Sequence, residues 1–360
     1  MDLEFFNNID VSNKYSIIPK VVVYKNLFCK NYLKEIVDIL KKDENQYQKN
    51  ILKMREEFDY VLLNSLITDN HGFEPKENDD DNPLSSWVPW YTFGSKTVFN
   101  HKKIPNNYNF DNENYEKLNE FKNKIELVLY KIYLDYINDW KDSEYWPIHL
   151  KNWNLHGLSY THFNDEQSEL AFGTIEILKH DIFPIGQAPD GEFTIKYHTD
   201  SNESRWDEPR SQQFITMTFY LNDDYEGGEV DFINEKDKKL VSYKPECGDI
   251  TIFPSGIPYW HAAKQVISGE NKFFIRVFIC WNNPGSKKWH DGVKKYGYDK
   301  WHENYLEEAI ENQHTVLRQI IKKDSNFLKL NVDENGKPRS TPLYVENETY
   351  LDSKKLNKNE

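Results

Sequence analysis

The chain has 360 residues, 38% hydrophobic and 15% aromatic, with a formal net charge of −14 from 59 acidic and 45 basic side chains. So many large aromatic side chains argue against a disordered polymer, and the negative charge disfavours binding to a phosphate backbone. We therefore expect no nucleic-acid partner. No run approaches the roughly 18 consecutive apolar residues of a membrane-spanning helix, so no membrane role is expected either.

The cysteines and the N-terminus predict the compartment. Cys29, Cys247 and Cys280 are an odd number at spacings that match neither a disulfide framework nor a zinc knuckle. The first six residues carry acidic side chains where a secretory signal needs positive charge. We therefore expect reduced thiols and a cytoplasmic location.

The first predicted elements are a strand and two helices. Residues 20–25 are rich in valine and predict a strand, and apolar residues then recur with a helical period from Tyr32 to Leu40. Between Tyr115 and Trp140 the apolar residues fall on one helical stripe, with lysine, asparagine and aspartate opposite. This segment predicts the longest helix of the chain, with its stripe facing the core.

Beyond residue 150 the pattern changes to short β-rich runs separated by turns, which indicates a sandwich or a barrel. The predicted strands are Phe193–His198, Phe214–Leu221, Glu229–Ile233, Leu240–Tyr243, Ile250–Phe253 and Phe273–Trp281.

A second boundary falls at 282–285, where the sequence is Asn-Asn-Pro-Gly. After it, apolar residues between Trp301 and Ile321 predict another amphipathic helix. The last dozen or so residues are polar, and we expect them to fray.

One pair of residues near a predicted strand end points to chemistry. His198 is the only histidine followed two residues later by a carboxylate, that of Asp200. Residues i and i+2 of a strand project to the same face, so both side chains would point into the mouth of a barrel. Together they could grip a metal ion.

The best candidate for a third ligand is His261, which follows the predicted strand at 250–253 and a turn. Two histidines and one carboxylate form the facial triad of non-haem Fe(II) oxygenases, which leaves coordination positions open. Zinc would accept the same ligands, so the donor set alone leaves the metal open.

The order of these parts carries a resemblance. His198–Asp200 are followed by Ile215–Asp223, Gly227–Phe232, Gly248–Pro254, His261, Val266, Gly269 and Lys272. This order resembles the prolyl 4-hydroxylase-type branch of the Fe(II)/2-oxoglutarate dioxygenases. The likeness spans roughly residues 19–285 and is strongest over 193–281.

The resemblance implies an α+β fold with a mainly β core. That core is a double-stranded β-helix, or jelly roll, with supporting N-terminal helices and a helical C-terminal extension. We expect an N-terminal arm at 1–18 and a dioxygenase domain at 19–285, with helical support at 115–140 and the jelly roll at about 155–285. Residues 286–360 would form the extension and its polar tail.

The resemblance also implies the cofactors. His198, Asp200 and His261 would bind Fe(II), with 2-oxoglutarate and O₂ as co-substrates and ascorbate as an optional addition. No other side chain need act as acid or base. A basic residue on a late strand would pair with the distal carboxylate of 2-oxoglutarate; Lys272 is favoured, and Arg276, four residues on and on the same face, competes with it.

The chain departs from the family pattern at Phe183, where many relatives carry a tyrosine that hydrogen-bonds the co-substrate. Tyr197, Thr216 or Thr218 could replace that hydroxyl. His180 lies in the same weakly matched region, and we expect it to be a surface or hydrogen-bonded histidine.

The reaction implied is hydroxylation of an unactivated C–H bond, above all that of a prolyl residue in a peptide or protein. A lysyl residue, a free amino acid or another small molecule stays open as the substrate. A hypothesis of another class is a catalytically idle jelly roll that serves as a binding module. Two roles stay open for the C-terminal extension, which are capping the barrel and mediating a homodimer.

Overall fold

The fold was analysed in a computed structural model. It describes part of the chain, namely residues 3–41, 91–93, 115–140, 170–172, 175–188, 190–200, 213–234, 239–256, 259–281, 294–297, 300 and 347–356. Among these residues, no helix is long and apolar enough to cross a membrane.

The helices of the described part are α1 (Leu3–Asn8), α2 (30–41), α3 (Tyr115–Trp140) and α4 (Ser353–Leu356), and residues 294–296 are also helical. Three of the helices, α1, α2 and α3, pack against the outward face of the larger sheet. The periodicity predicted α3 with its observed bounds. The described part of its apolar stripe is buried, as predicted, because it faces the core.

The larger sheet has eight antiparallel strands. Seven follow one another in the order β1 (Lys14–Ile18), β2 (Val21–Tyr24), β11 (Ile250–Pro254), β7 (Gln213–Tyr220), β14 (Lys272–Trp281), β5 (Ile175–His180) and β3 (Tyr91–Phe93). The eighth, β4 (Leu170–Phe172), pairs with the far end of β14.

The smaller sheet has five strands, in the order β15 (Asn347–Asp352), β10 (Lys239–Lys244), β9 (Val230–Asn234), β12 (His261–Lys264) and β6 (Phe193–His198). Its pairs are antiparallel except that β15 runs parallel to β10. A separate ribbon joins β8 (Tyr225–Gly227) to β13 (Val266–Gly269).

Alternation along the strands builds two hydrophobic cores. On β7, Ile215, Met217 and Phe219 point outward and pack with α2 and α3. The opposite face of the larger sheet packs against the smaller one, where Phe232 and Tyr243 meet residues of β1, β2, β11 and β14. Two antiparallel sheets packed face to face confirm the predicted jelly-roll core with supporting helices.

The end of the chain differs from the prediction. We expected the last dozen residues to fray, but residues 347–352 form β15, and α4 follows directly. The buried Lys25 holds this segment in place, because its Nζ donates hydrogen bonds to the Ser353 carbonyl at 3.0 Å and to the Ser353 hydroxyl at 2.8 Å.

The domain boundaries stay a prediction. Within the proposed arm, residues 14–18 form β1 and pair with β2, a strand that the sequence analysis did not predict. The predicted helix between Trp301 and Ile321 lies outside the described residues. The helical C-terminal extension is therefore not confirmed.

Candidate active site

Strand pairing brings the two histidines of the site together. His198 ends β6 and His261 begins β12, and the two residues are opposite partners in the antiparallel ladder. Residues paired in this way project to the same face. Their ring centroids are 4.3 Å apart.

Asp200 completes the cluster from the segment just after β6. Its Oδ1 lies 3.6 Å from Nε2 of His198, and its Oδ2 lies 3.4 Å from Nε2 of His261. One ligand atom from each of the three residues lies within 4.8 Å of the other two. The structure therefore brings together all three predicted ligands, and their role in binding metal stays a prediction.

Backbone carbonyls orient both imidazoles. Nδ1 of His198 lies 2.8 Å from the Lys196 carbonyl, and Nδ1 of His261 lies 3.4 Å from the Tyr259 carbonyl. A ring that donates its Nδ1–H to a carbonyl keeps a lone pair on Nε2. Both Nε2 atoms are on the side of Asp200, so both lone pairs are directed at the centre of the cluster.

Two buried hydroxyls hold the carboxylate in place. Thr216 on β7 donates from Oγ1 to Oδ2 of Asp200 at 2.5 Å. Oγ of Ser255 lies 2.8 Å from Oγ1 of Thr216, and Ser255 is the donor there because the Thr216 proton is already used. The sequence analysis missed Ser255 and considered Thr216 only for the co-substrate, since no spacing rule links either residue to Asp200.

The electrostatics favour an ionised carboxylate beside a neutral ring. Burial by itself would raise the pKa of Asp200, but His261 and His198 outweigh it and hold that pKa well below its usual value. Burial lowers the pKa of His261. Neutral imidazoles and a carboxylate are the donors that Fe(II) prefers, so the residues present fit the metal that the resemblance implies.

The cluster opens into a pocket between the two sheets. On the larger sheet, the pocket wall consists of inward-facing residues of β5, β7, β11 and β14. The lining comprises His180, Ile195, His198, Asp200, Thr216, Thr218, Tyr220, Val230, Phe253, His261, Ala262, Ala263, Lys272, Phe274 and Arg276.

Lys272 is a buried cation in this pocket. The residue is 1% exposed, and its Nζ donates to the Gly228 carbonyl at 2.6 Å and lies 5.0 Å from the ring centroid of Tyr220. No carboxylate of a described residue lies within ion-pair distance of this Nζ. Burial, helped by the charge of Lys244, lowers the pKa of Lys272 to about 7. A buried ammonium without a carboxylate partner fits an anionic ligand.

Arg276 lies on the same face of β14 and also lines the pocket, as the two-residue period predicts. Its guanidinium lies 5.0 Å from the ring centroid of Phe278. The structure thus places both predicted co-substrate residues in the pocket wall.

Of the residues considered as a replacement for the missing tyrosine, two line the pocket and one does not. Thr216 and Thr218 are in the wall. Tyr197 instead donates its hydroxyl to Asp231 at 2.8 Å, and neither it nor Phe183 is among the described lining residues.

His180 contradicts the expectation of a surface or hydrogen-bonded histidine. It is 2% exposed and lines the pocket, and its Nδ1 has no hydrogen-bond partner among the described residues. The sequence analysis missed it because its role depends on which strand lies beside β5. No sequence signal pointed to it, because residues 175–180 were not predicted to form a strand.

Two glycines allow the backbone to approach the pocket. Gly227 and Gly228 both have positive φ, 70° and 68°. A Cβ on Gly227 would lie 2.3 Å from the Gln265 carbonyl, so no other residue fits there. The turn places the Gly228 carbonyl next to Nζ of Lys272.

Comparison with known proteins agrees with this geometry. Residues 187–280 match the family model described as the 2OG-Fe(II) oxygenase superfamily. The matched segment contains the His198, Asp200 and His261 cluster, and Lys272 and Arg276 as well. The family implies Fe(II), 2-oxoglutarate and O₂; ascorbate stays a prediction.

Similarity to curated proteins is confined to a short segment. The chain is 42% identical over 69 residues to prolyl 3-hydroxylase 2 from Homo sapiens, and the Rattus norvegicus protein of the same name gives the same values. The match covers 18% of this chain and 10% of each relative.

The matches with solved structures are distant. A prolyl-4-hydroxylase from Pseudomonas putida is 18% identical with a TM-score of 0.24, and the match covers 32% of this chain and 55% of that one. The viral collagen prolyl hydroxylase from Paramecium Bursaria Chlorella virus-1, in its 2OG complex, is 19% identical with a TM-score of 0.27. This match covers 44% of this chain and 71% of that one.

Proposed function

We propose that this chain is an Fe(II)- and 2-oxoglutarate-dependent oxygenase that hydroxylates prolyl residues in a peptide or protein. The observation that carries the reaction class is one pocket that contains both the three predicted metal ligands and the buried Lys272, all of them in the segment that matches the oxygenase family. The similarity to prolyl 3-hydroxylase 2 supports prolyl residues as the substrate class.

The chemistry that Fe(II), 2-oxoglutarate and O₂ supply in such a site is hydroxylation of a C–H bond, coupled to oxidation of 2-oxoglutarate to succinate and CO₂. The side chains bind and orient the reactants. His198, Asp200 and His261 hold the metal, and Thr216 fixes the Asp200 carboxylate. The apolar wall that includes Phe253 and Phe274 excludes water from the reacting centre.

Lys272 binds the co-substrate at the other end of this arrangement. Its ammonium is buried and has no carboxylate partner among the described residues, so a distal carboxylate would neutralise it. Arg276 is the second cation of the same wall and contributes to a potential that attracts a dianion.

The test is turnover with proline-containing peptides in the presence of Fe(II) and 2-oxoglutarate. We expect succinate formation and the addition of one oxygen atom to the peptide, both lost in Asp200→Asn and both retained in Glu192→Gln, an exposed carboxylate-to-amide control. Amino-acid analysis of the product distinguishes 3-hydroxyproline, 4-hydroxyproline and hydroxylysine. Oxidation of lysyl peptides or free amino acids alone would contradict the prolyl assignment, and no metal-dependent succinate would contradict the enzyme.

The cytoplasmic location and the homodimer belong to the proposal as untested predictions. The location rests on the three cysteines, an odd number at spacings that match no disulfide framework. The net charge of −14 is the reason that we propose no nucleic-acid partner.

A further inference from the structure

His180 ends β5 and forms part of the pocket wall. Its ring packs edge-on against Phe274, with centroids 4.7 Å apart, and the residue is 2% exposed. Nδ1 of this ring is buried and has no hydrogen-bond partner among the described residues. Because a buried polar atom without a partner is costly, such an atom in the wall of a pocket indicates a missing ligand atom.

Strand pairing places His180 beside the buried cation. His180 and Lys272 are opposite partners in the antiparallel β5–β14 ladder, so their side chains project to the same face. Burial, reinforced by the charges of Lys272 and Arg276, holds the pKa of His180 well below its usual value. The ring is therefore neutral and carries one N–H that it can donate, next to an ammonium that has no carboxylate partner in the described part of the chain.

We propose that His180 is a co-substrate-binding residue, whose Nδ1–H donates a hydrogen bond to the same distal carboxylate that Lys272 neutralises. A carboxylate has two oxygens and accepts both bonds at once. This inference rests on the proposed function, because it assigns a residue to the 2-oxoglutarate end of that site. It also supplies a neutral donor from the segment in which Phe183 lacks a hydroxyl.

The test compares two ligands in the full chain loaded with Mn(II). 2-Oxopentanoate has the carbon chain and the 2-oxo acid of 2-oxoglutarate and lacks only the distal carboxylate. We expect His180→Leu to weaken 2-oxoglutarate binding in calorimetry by roughly tenfold to hundredfold, the usual effect of removing a hydrogen bond to a charged group. The affinity for 2-oxopentanoate should stay within about twofold, since a purely local loss leaves that ligand untouched.

A conservative variant separates the hydrogen bond from the shape of the ring. In His180→Asn the side-chain amide nitrogen takes the place of Nδ1, so most of the 2-oxoglutarate affinity should return. If His180→Leu does not fold, His180→Phe replaces it, because a phenyl ring keeps the contact with Phe274 and has no donor. Titration with Mn(II) alone checks that the metal site of each variant is intact.

Two results would overturn the assignment: unchanged 2-oxoglutarate affinity in the variant without a donor, or equal losses for both ligands, which would indicate a structural role. Failure of the proposed function looks different, because the unmodified protein would then show no Mn(II)-dependent binding of 2-oxoglutarate. That result would overturn both proposals.

Discussion

Thr216, on β7, donates a hydrogen bond from its hydroxyl to Asp200, which lies in the segment that follows β6. The contact joins the two sheets at the candidate metal centre, because β7 belongs to the larger sheet and β6 to the smaller one. It fixes Oδ2 of the carboxylate and leaves the other lone pairs for a metal. The position of Asp200 is thus determined by both sheets.

Thr216→Val removes this hydroxyl and keeps the shape of the side chain. We expect metal affinity to fall roughly 10–100-fold, the usual effect of removing an outer hydrogen bond from a ligand. Calorimetric titration with Mn(II) measures it. Thr251→Val is the matched control, since Thr251 is a buried threonine on β11 whose hydroxyl donates to the Thr218 carbonyl at 3.4 Å. Equal metal affinities in the two variants would contradict the role of Thr216.

Lys272→Met and Arg276→Met test which cation pairs with the distal carboxylate. Lys272 is buried and its Nζ lacks an acidic partner among the described residues, so its loss should weaken 2-oxoglutarate binding by about 2 kcal/mol or more, roughly 30-fold. Arg276→Met should have the smaller effect. Binding to the Mn(II)-loaded protein is measured for both, and the reverse order would assign the carboxylate to Arg276.

The affinity for 2-oxoglutarate should depend on pH. The pKa of Lys272 is lowered to about 7 by burial, and an anion bound to the ammonium raises it again. Below about pH 7 the ammonium is already protonated and affinity is at its maximum. Above that pH binding must take up a proton, so affinity falls by up to about tenfold per pH unit until the pKa of the complex is reached.

Calorimetry in buffers of different ionisation enthalpy measures this proton uptake directly. Lys272→Arg is the control, because a guanidinium stays protonated and its pH dependence should be flat, whatever its absolute affinity. Charged groups near Lys272, including Lys244 and Glu229, set the pH at which the affinity begins to fall, but they do not change the direction of the pH dependence. A flat profile in the unmodified protein would contradict the lowered pKa of Lys272, and the Lys272→Met variant then decides whether this residue binds the anion.

Ser353→Ala tests whether the C-terminal segment is part of the fold. The change removes a hydroxyl 2.8 Å from Nζ of the buried Lys25, so the free energy of unfolding should fall by about 1–3 kcal/mol. Lys354→Ala, the control, removes an exposed ion pair with Asp223 and should cost at most about 1 kcal/mol. Urea denaturation measures both, and equal losses would mean that the contact with Lys25 contributes no stability.

Local patterns predicted α3 and about half of the described strands. α3 and β6 have the predicted bounds, because their signals are a long amphipathic stripe and a short run between turns. β15 was missed because its sequence is polar and only Leu351 packs against the core. Such an edge strand forms through backbone pairing with β10, which no local pattern reports.

The site shows the same division between local and long-range information. The spacing of His198 and Asp200 at the end of a strand, and the order of motifs up to His261, were readable along the chain. His180 and Ser255 were not, because one depends on the β5–β14 register and the other on a contact between β11 and β7. Sequence spacing does not encode those neighbours.

The most direct test of the account is anaerobic titration of the Fe(II)-loaded protein with 2-oxoglutarate, followed in the visible spectrum. Chelation of a 2-oxo acid to Fe(II) gives a weak metal-to-ligand charge-transfer band. We predict that the band appears and saturates, is lost in His261→Ala and is retained in Glu192→Gln. No band at saturating 2-oxoglutarate, with Fe(II) bound, would contradict the oxygenase and leave a jelly roll that serves as a binding module.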